Sequence, residues 1–213
     1  EQAALWFRKA ADQGDHEAQC YLGVHYANGQ GVEKDIRQAV YWWTKSAEKG
    51  YAKAQYYLGL MLAEGAGIEK DAEKALFWWK KAADNGHSKA QCRLGFVYSD
   101  GQLVETDDVQ AVYWLRKATE NNHPAATRRL GSMYATGRGV EQDDGQAVKL
   151  CRMAAEMNDV SAQWHLGDMY WNGRRLEQDK NQATFWLRKA AQKGHPKAQE
   201  TLTKFGIEWI ETE

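Results

Sequence analysis

Trp164, Asp168 and Trp171 stand four and three residues apart. That spacing brings side chains to one face of a helix. Two indoles around a carboxylate have the makings of a contact hot spot, since Trp is enriched among residues that anchor partners. Aromatic pairs with an acid also bind sugars, but nothing else in the chain specifies one. A structural explanation stands beside the functional one. Leu150 and Cys151 occupy places where the corresponding segments carry mostly larger side chains, and extra indoles nearby would refill lost core volume.

The other reactive side chains do not assemble into a centre. His87, His123 and His195 share one turn position at multiples of 36 residues. They face separate copies of a repeat and cannot share a metal, so a turn or helix-entry role is expected. His25 and His165 are isolated and lack ligand spacing. Gly-x-Gly loops recur, but no strand precedes them and no Lys-Ser/Thr follows, so they are not phosphate loops. Asp107-Asp108 and Asp143-Asp144 read as helix caps, each followed by a solvated residue. No Ser/His/Asp or Cys/His set repeats with catalytic logic. The expectation is therefore a non-enzymatic protein with no metal and no cofactor.

Composition narrows the class. The 213 residues carry 28 basic and 29 acidic side chains, a net charge of −1. With both signs mixed along the chain, a nucleic-acid or membrane-surface role is disfavoured. No apolar run is long enough to span a bilayer, so a soluble protein is expected; its compartment, cytoplasm or periplasm, is left open. The chain starts at Glu1 in mid-repeat, which reads as a boundary and not a natural start. Cys20, Cys92 and Cys151 do not make a disulfide framework, and all three read as buried or half-buried thiols. With only two prolines, the chain reads as all-α.

One pattern positions everything else. Ala18, Ala54, Ala90, Ala126, Ala162 and Ala198 are each 36 residues apart, and so are Leu22, Leu58, Leu94, Leu130, Leu166 and Leu202. Such a period means a solenoid, in which each unit hides its apolar face by stacking on neighbours. The predicted domain is one array over 1–213. Residues 1–14 are a lone second helix, full units cover 15–50, 51–86, 87–122, 123–158 and 159–194, and 195–213 form a partial unit or a cap.

Within a unit, Ala54, Leu58 and Leu62 share a face of the first helix. Gly59 recurs inside that helix as Gly23, Gly95, Gly131 and Gly167. Glycine there costs about 1 kcal/mol against Ala, so a close helix crossing is expected. Gly65 and its copies fit a C-terminal cap. An apolar connector residue, such as Ile68, tucks inward. Asp35 with Gln38, and its copies, form an N-cap pattern. The second helix sets Trp42, Trp43, Trp78, Trp79, Trp114 and Trp186 into the core, against alanines such as Ala39 and Ala47.

The shared positions read Ala-Gln-x-x-Leu-Gly-x-x-Tyr-x-x-Gly-x-Gly-Val-x-x-Asp-x-x-x-Ala-x-x-Trp-x-x-x-Ala. This pattern resembles the Sel1-like repeat, a relative of the tetratricopeptide repeat with a longer connector. The resemblance implies antiparallel helix pairs in a right-handed superhelical α-solenoid, with first helices lining the concave side. It also implies a protein-binding adaptor, as in endoplasmic-reticulum degradation complexes or in bacterial signalling, virulence and immunity. The Helicobacter cysteine-rich branch carries a Cys pair in each repeat, which this chain lacks.

Comparing copies with one another separates scaffold from surface. One first-helix column reads Cys20, Tyr56, Cys92, Arg128, Trp164, and the next reads Val24, Leu60, Phe96, Ser132, Asp168. A third is small, Ala27, Ala63, Ser99, Ala135, until Trp171. Tyr56, Leu60, Cys92, Phe96, Arg128, Ser132, Trp164, Asp168 and Trp171 are the expected partner-binding residues, for a protein or peptide on the face that the resemblance makes concave. The competing reading makes them ordinary contacts between successive first helices. A structural spacer or self-assembling scaffold is the alternative function, with Trp209 and Ile210 at an end-to-end contact.

Overall fold

The computed structural model of the chain describes residues 2–209. Among them, every regular element is an α-helix. The chain divides into two compact units, residues 1–106 and 107–213. The first contains α1 (Gln2–Asp12), α2 (His16–Asn28), α3 (Ile36–Glu48), α4 (Ala52–Glu64), α5 (Ala72–Asp84) and α6 (Ser88–Asp100). The second contains α7 (Asp108–Glu120), α8 (Pro124–Thr136), α9 (Asp144–Glu156), α10 (Val160–Asn172), α11 (Lys180–Gln192) and α12 (Pro196–Lys204). Ile210, expected at an end contact, lies outside the described residues. Trp209 is half-buried and packs with Ile207 against the core around Leu187 and Leu202.

Caps set the helix ends. Asp35, Asp71, Asp107, Asp143 and Asp179 each accept a hydrogen bond from the backbone N–H three residues on, at 2.9–3.0 Å. The Asp N–H groups are used differently from a capping box, in which a side chain reaches back to them. Asp35, Asp71, Asp143 and Asp179 donate to the carbonyls of Tyr26, Leu62, Tyr134 and Tyr170, at 2.9–3.1 Å. That bond ties the start of each second helix to the end of the first and fixes the pair antiparallel. First helices stop at Gly29, Gly65, Gly101, Gly137 and Gly173, all left-handed.

The two helices of a pair touch at the recurring glycine. A Cβ on Gly23 would lie 2.6 Å from Trp43, and one on Gly59 would lie 2.5 Å from Trp79. Both indoles donate to the first-helix backbone, Trp43 to the Cys20 carbonyl and Trp79 to that of Tyr56, each at 3.2 Å. Burying so large a side chain contributes about 1.5–3 kcal/mol, which offsets the propensity cost of glycine. Leu187 makes the same approach at Gly167, 2.8 Å from the would-be Cβ. At Gly131 the facing residue is Cys151, and nothing lies nearer than 3.2 Å. The Trp core expectation holds for Trp42, Trp43, Trp79, Trp114 and Trp186, all buried; Trp78 is only half-buried.

Three side-chain ties join one repeat to the next. Gln19, Gln55, Gln91 and Gln163 are buried, and each amide donates to a carbonyl at the end of the preceding second helix. Their acceptors are Ala11, Ala47, Ala83 and Ala155, at 3.0–3.2 Å. Arg8, Arg116 and Arg152 donate to the hydroxyls of Tyr26, Tyr134 and Tyr170, at 2.6–2.8 Å. In the copy with Leu62 in place of Tyr, Thr44 stands in place of Arg. The third tie corrects an expectation: Asp108 and Asp144 are not simply solvated. Arg138 grips Asp108 with two bonds, at 2.6 and 3.0 Å, and Arg175 holds Asp144 at 2.5 Å. Each tie fastens a connector to the second helix of the repeat before it.

The glycine column predicts an asymmetry. Gly59→Ala should cost about 2–3 kcal/mol by overpacking against a buried indole. Gly131→Ala should cost less, under about 1 kcal/mol, because its nearest neighbours, the Ala147 carbonyl and Leu150 Cβ at 3.2 Å, need give only slightly and Ala favours the helix. Urea denaturation of the two variants measures the difference. Equal losses would show that the facing side chain does not set the glycine requirement.

Candidate functional site

The first variable column is a junction as well as a surface. Its members meet the residue that enters the next first helix. In the first unit, the Tyr56 ring lies 4.9 Å from that of His87. In the second, Arg128 Nε bonds Asp159 at 3.0 Å, and Trp164 stacks on His195 at 5.4 Å with 17° between the planes. Asp159 also caps α10, accepting from the Ala162 N–H at 2.7 Å. Tyr56, Arg128 and Trp164 remain half-buried, whereas Cys20 and Cys92 are buried. Cys92, selected from sequence as a contact residue, therefore presents little side-chain surface.

The second column keeps more surface. Leu60, Phe96 and Asp168 are half-buried and Ser132 is exposed. Asn172 donates to Asp168 at 2.8 Å, and Arg174 pairs with it at 3.8 Å. In the third column, Trp171 lies flat on Phe205, centroids 3.7 Å apart, with Lys180 Nζ 3.7 Å from its ring centroid. Trp164 and Trp171 thus secure α12 and its end. Both are half-buried; Trp171 also packs against the core cluster that contains Cys151, while neither indole lines the space left next to that thiol.

That space is a cavity of about 280 Å³ between α8, α9 and α10. Gly131, Ala135, Ala147 and Cys151 are among the residues of its apolar wall, and Arg128, Arg129 and Arg175 also line it. Its origin is legible in one column of second-helix residues. Trp43, Trp79, Leu115 and Leu187 stand where α9 has Cys151, and the lost volume faces Gly131. Arg175 has a positive φ of 64°, at a place where Gly31, Gly67 and Gly139 stand in other copies. A non-glycine residue there is strained. Besides Asp144, its guanidinium donates to the Ala135 carbonyl at 3.2 Å. His165 sits at the cavity with an exposed ring, yet its pKa is held below the usual imidazole value, first by the surrounding protein and then by Arg128. Sequence reasoning did not select Arg129, Arg175, Cys151 or His165 as site residues. Departure from the repeat, the test already applied to first helices, would have found Cys151 and Arg175.

The turn histidines are caps, as expected for His87 and His195. Each accepts the N–H three residues on through Nδ1, at 3.3 Å. That nitrogen must be unprotonated to accept. Burial pushes the His87 pKa down to about 4, with Lys89 and Lys53 adding to the shift. The three cysteines are free and buried; burial pushes Cys20 up to about 12 and Cys151 to about 11. Among the described residues, no group of three His, Cys, Asp or Glu side chains could hold a metal ion, and no helix is long and apolar enough to cross a membrane.

Repeated helix pairs with an invariant scaffold and a varied first-helix face define an all-α protein of the solenoid class. The chain belongs to the Sel1 repeat family, whose model matches residues 1–15, 16–51, 52–87, 88–123, 124–159 and 160–195. Members of this family are generally protein-interaction modules and non-catalytic scaffolds. The chain is similar to a protective antigen of uropathogenic Escherichia coli strains displaying an SLR fold, with 36% identity and a TM-score of 0.87. That match covers 97% of this chain and 45% of the other, so this chain spans under half of that relative. A Sel1 repeat protein from Oxalobacter formigenes is 32% identical with a TM-score of 0.88, over 94% of this chain and 82% of the other. Helicobacter pylori cysteine rich protein B is 25% identical with a TM-score of 0.51, over 62% of this chain and 96% of the other. No match is found among curated proteins.

Two measurements follow from the titratable groups. The His87 pKa is lower folded than unfolded, so its contribution is complete above about 6.5 and fades as pH falls toward about 4. Partial exposure of the ring screens the effect, so the loss stays well under ~3 kcal/mol. His87→Asn keeps a capping oxygen that does not titrate. Its stability, followed by urea denaturation, should fall less than the wild type's across that window; identical pH profiles would refute the assignment. Second, all three thiols should resist a disulfide reagent at pH 7.5 and react together on denaturation. Rapid labelling of Cys151 in the folded protein would contradict its raised pKa.

Proposed function

We propose that the chain is a non-enzymatic adaptor that holds a protein or peptide partner on the groove-forming faces of its first helices. The carrying observation is the second variable column. Scaffold positions repeat almost unchanged, while Leu60 and Phe96 in one unit and Ser132 and Asp168 in the other differ in size and charge. All four keep some surface after packing. Tyr56, Arg128, Trp164 and Trp171 border that surface, committed on one side to the next repeat. Solenoids use such varied, solvent-facing positions for recognition because the scaffold does not depend on them. Similarity to the Escherichia coli protective antigen and the Oxalobacter formigenes protein supports a bacterial setting, with signalling, virulence or immunity as the candidate pathways.

The test is affinity capture from the source cell with matched variants. Leu60→Glu and Asp168→Lys change the proposed face, and Tyr113→Ala changes an exposed second-helix aromatic. Circular dichroism should show equal helicity in all three. The expected result is at least a tenfold loss of a captured protein in the first two variants, about 1.4 kcal/mol or more, with full retention in the third. Loss only in Tyr113→Ala would place recognition on the second helices instead.

A further inference from the structure

We propose that the cavity beside Cys151 is a subsite for an acidic side chain of a peptide, an Asp or Glu flanked by an apolar residue. The inference deepens the adaptor reading and rests on it. Three arginines, Arg128, Arg129 and Arg175, line the cavity, and no Asp or Glu does. Asp159 and Asp144, which hold Arg128 and Arg175, are not among the lining residues. They fix the guanidinium groups in place, so little side-chain freedom is lost when a ligand arrives. Guanidinium is the side chain best matched to carboxylate, through paired N–H donors.

The volume of about 280 Å³ suits a side chain or two and not a folded surface. Ala135, Ala147, Met169 and Cys151 give it apolar wall, which a bare inorganic anion would leave unused and an apolar neighbour in a peptide would cover. Charge and shape together therefore select an acidic peptide segment. Both features that create the subsite are departures from the repeat. Cys151 opens the space that Trp or Leu fills in the other copies, and Arg175 occupies a left-handed position that Gly takes in three of them, with Leu103 in the fourth. Strain retained at a position where glycine would relieve it marks a functional constraint.

Reverting each departure tests the proposal without threatening the fold. Cys151→Leu refills the cavity, and Arg175→Gly removes one guanidinium and relieves the backbone. Cys151→Leu should melt at or above the wild-type temperature, and Arg175→Gly close to it, since the lost Asp144 tie is offset by the relieved backbone. The probe is a fluorescein-labelled pool of short peptides with a central Asp-Leu or Glu-Leu, against the matching Asn-Leu and Gln-Leu pool, read by anisotropy. The wild type should bind the acidic pool at least tenfold more tightly than the amide pool, and each reversion should lose at least tenfold of that binding. No binding by the wild type, equal binding of the two pools, or unchanged binding by both reversions would overturn the subsite. Failure of the wider reading is read separately. A protein captured by the wild type and by Cys151→Leu, but lost in Leu60→Glu, leaves the adaptor intact and removes only the cavity. Acidic-peptide binding that both reversions abolish, with no effect of Leu60→Glu or Asp168→Lys on any captured protein, keeps the cavity and removes the wider face.

Discussion

Everything in a repeat depends on how closely its two helices cross. At Gly23 and Gly59 the first helix offers no Cβ, and an indole from the second helix lies where one would be. The indole then reaches the first-helix carbonyls and donates to them. The short connector can close only because the helices are this near. The Asp that caps the second helix bonds back to the end of the first, and the left-handed glycines turn the chain in so little space. Changing the size of the residue over the glycine changes the volume left beside it. The series Trp43, Trp79, Leu115, Cys151, Leu187 therefore varies the room beside the crossing.

Stacking of repeats uses a second set of contacts. A buried glutamine amide is a costly thing to place in a helical core, because an unsatisfied polar group there costs about 1–3 kcal/mol. Here it finds a carbonyl of the preceding second helix in nearly every copy, so its cost becomes a condition on register. Thr127 replaces it once and bonds instead to the His123 carbonyl of its own helix. The variable column obeys a looser rule. Tyr56 with His87, Arg128 with Asp159 and Trp164 with His195 are chemically different pairs, yet each is complementary. The position is free to vary only as half of a pair.

That rule explains what could be read in advance. Period, helix boundaries, capping aspartates and the glycine crossing all follow from local chemistry that a single copy displays, and each was legible. The pairing of Arg128 with Asp159 was not, because it links columns 31 residues apart that look unrelated when each is read alone. The same distance hid the Arg175–Asp144 tie, so Asp144 looked merely solvated. Cys92 looked like a binding residue because it shares a column with Arg128, although it also read as a buried or half-buried thiol, and a small thiol at that place is covered. Trp164 stacks on His195 and Trp171 on Phe205, and those neighbours belong to a copy where the repeat is already fading. The sequence pattern therefore gave no reason to expect that those rings would be stacked.

Departures from the repeat carry different weight depending on whether a partner column changes with them. Leu62 loses the tyrosine hydroxyl and Thr44 loses the matching base, so the pair changes together and the scaffold absorbs it. Cys151 has no such compensation, and the tie from Arg175 to Asp144 leaves the Arg175 backbone unrelieved. No neighbouring residue grows to fill the space beside Cys151, and Arg175 keeps a backbone conformation that costs free energy for any residue but glycine. Marginal stability makes two such uncompensated losses in one place expensive to retain. They lie at the same cavity, and each contributes something a binding site needs, one the space and the other a fixed positive charge. Had the two departures been drift, nothing would have placed the loss of volume and the gain of charge against one another across α9 and the connector after α10.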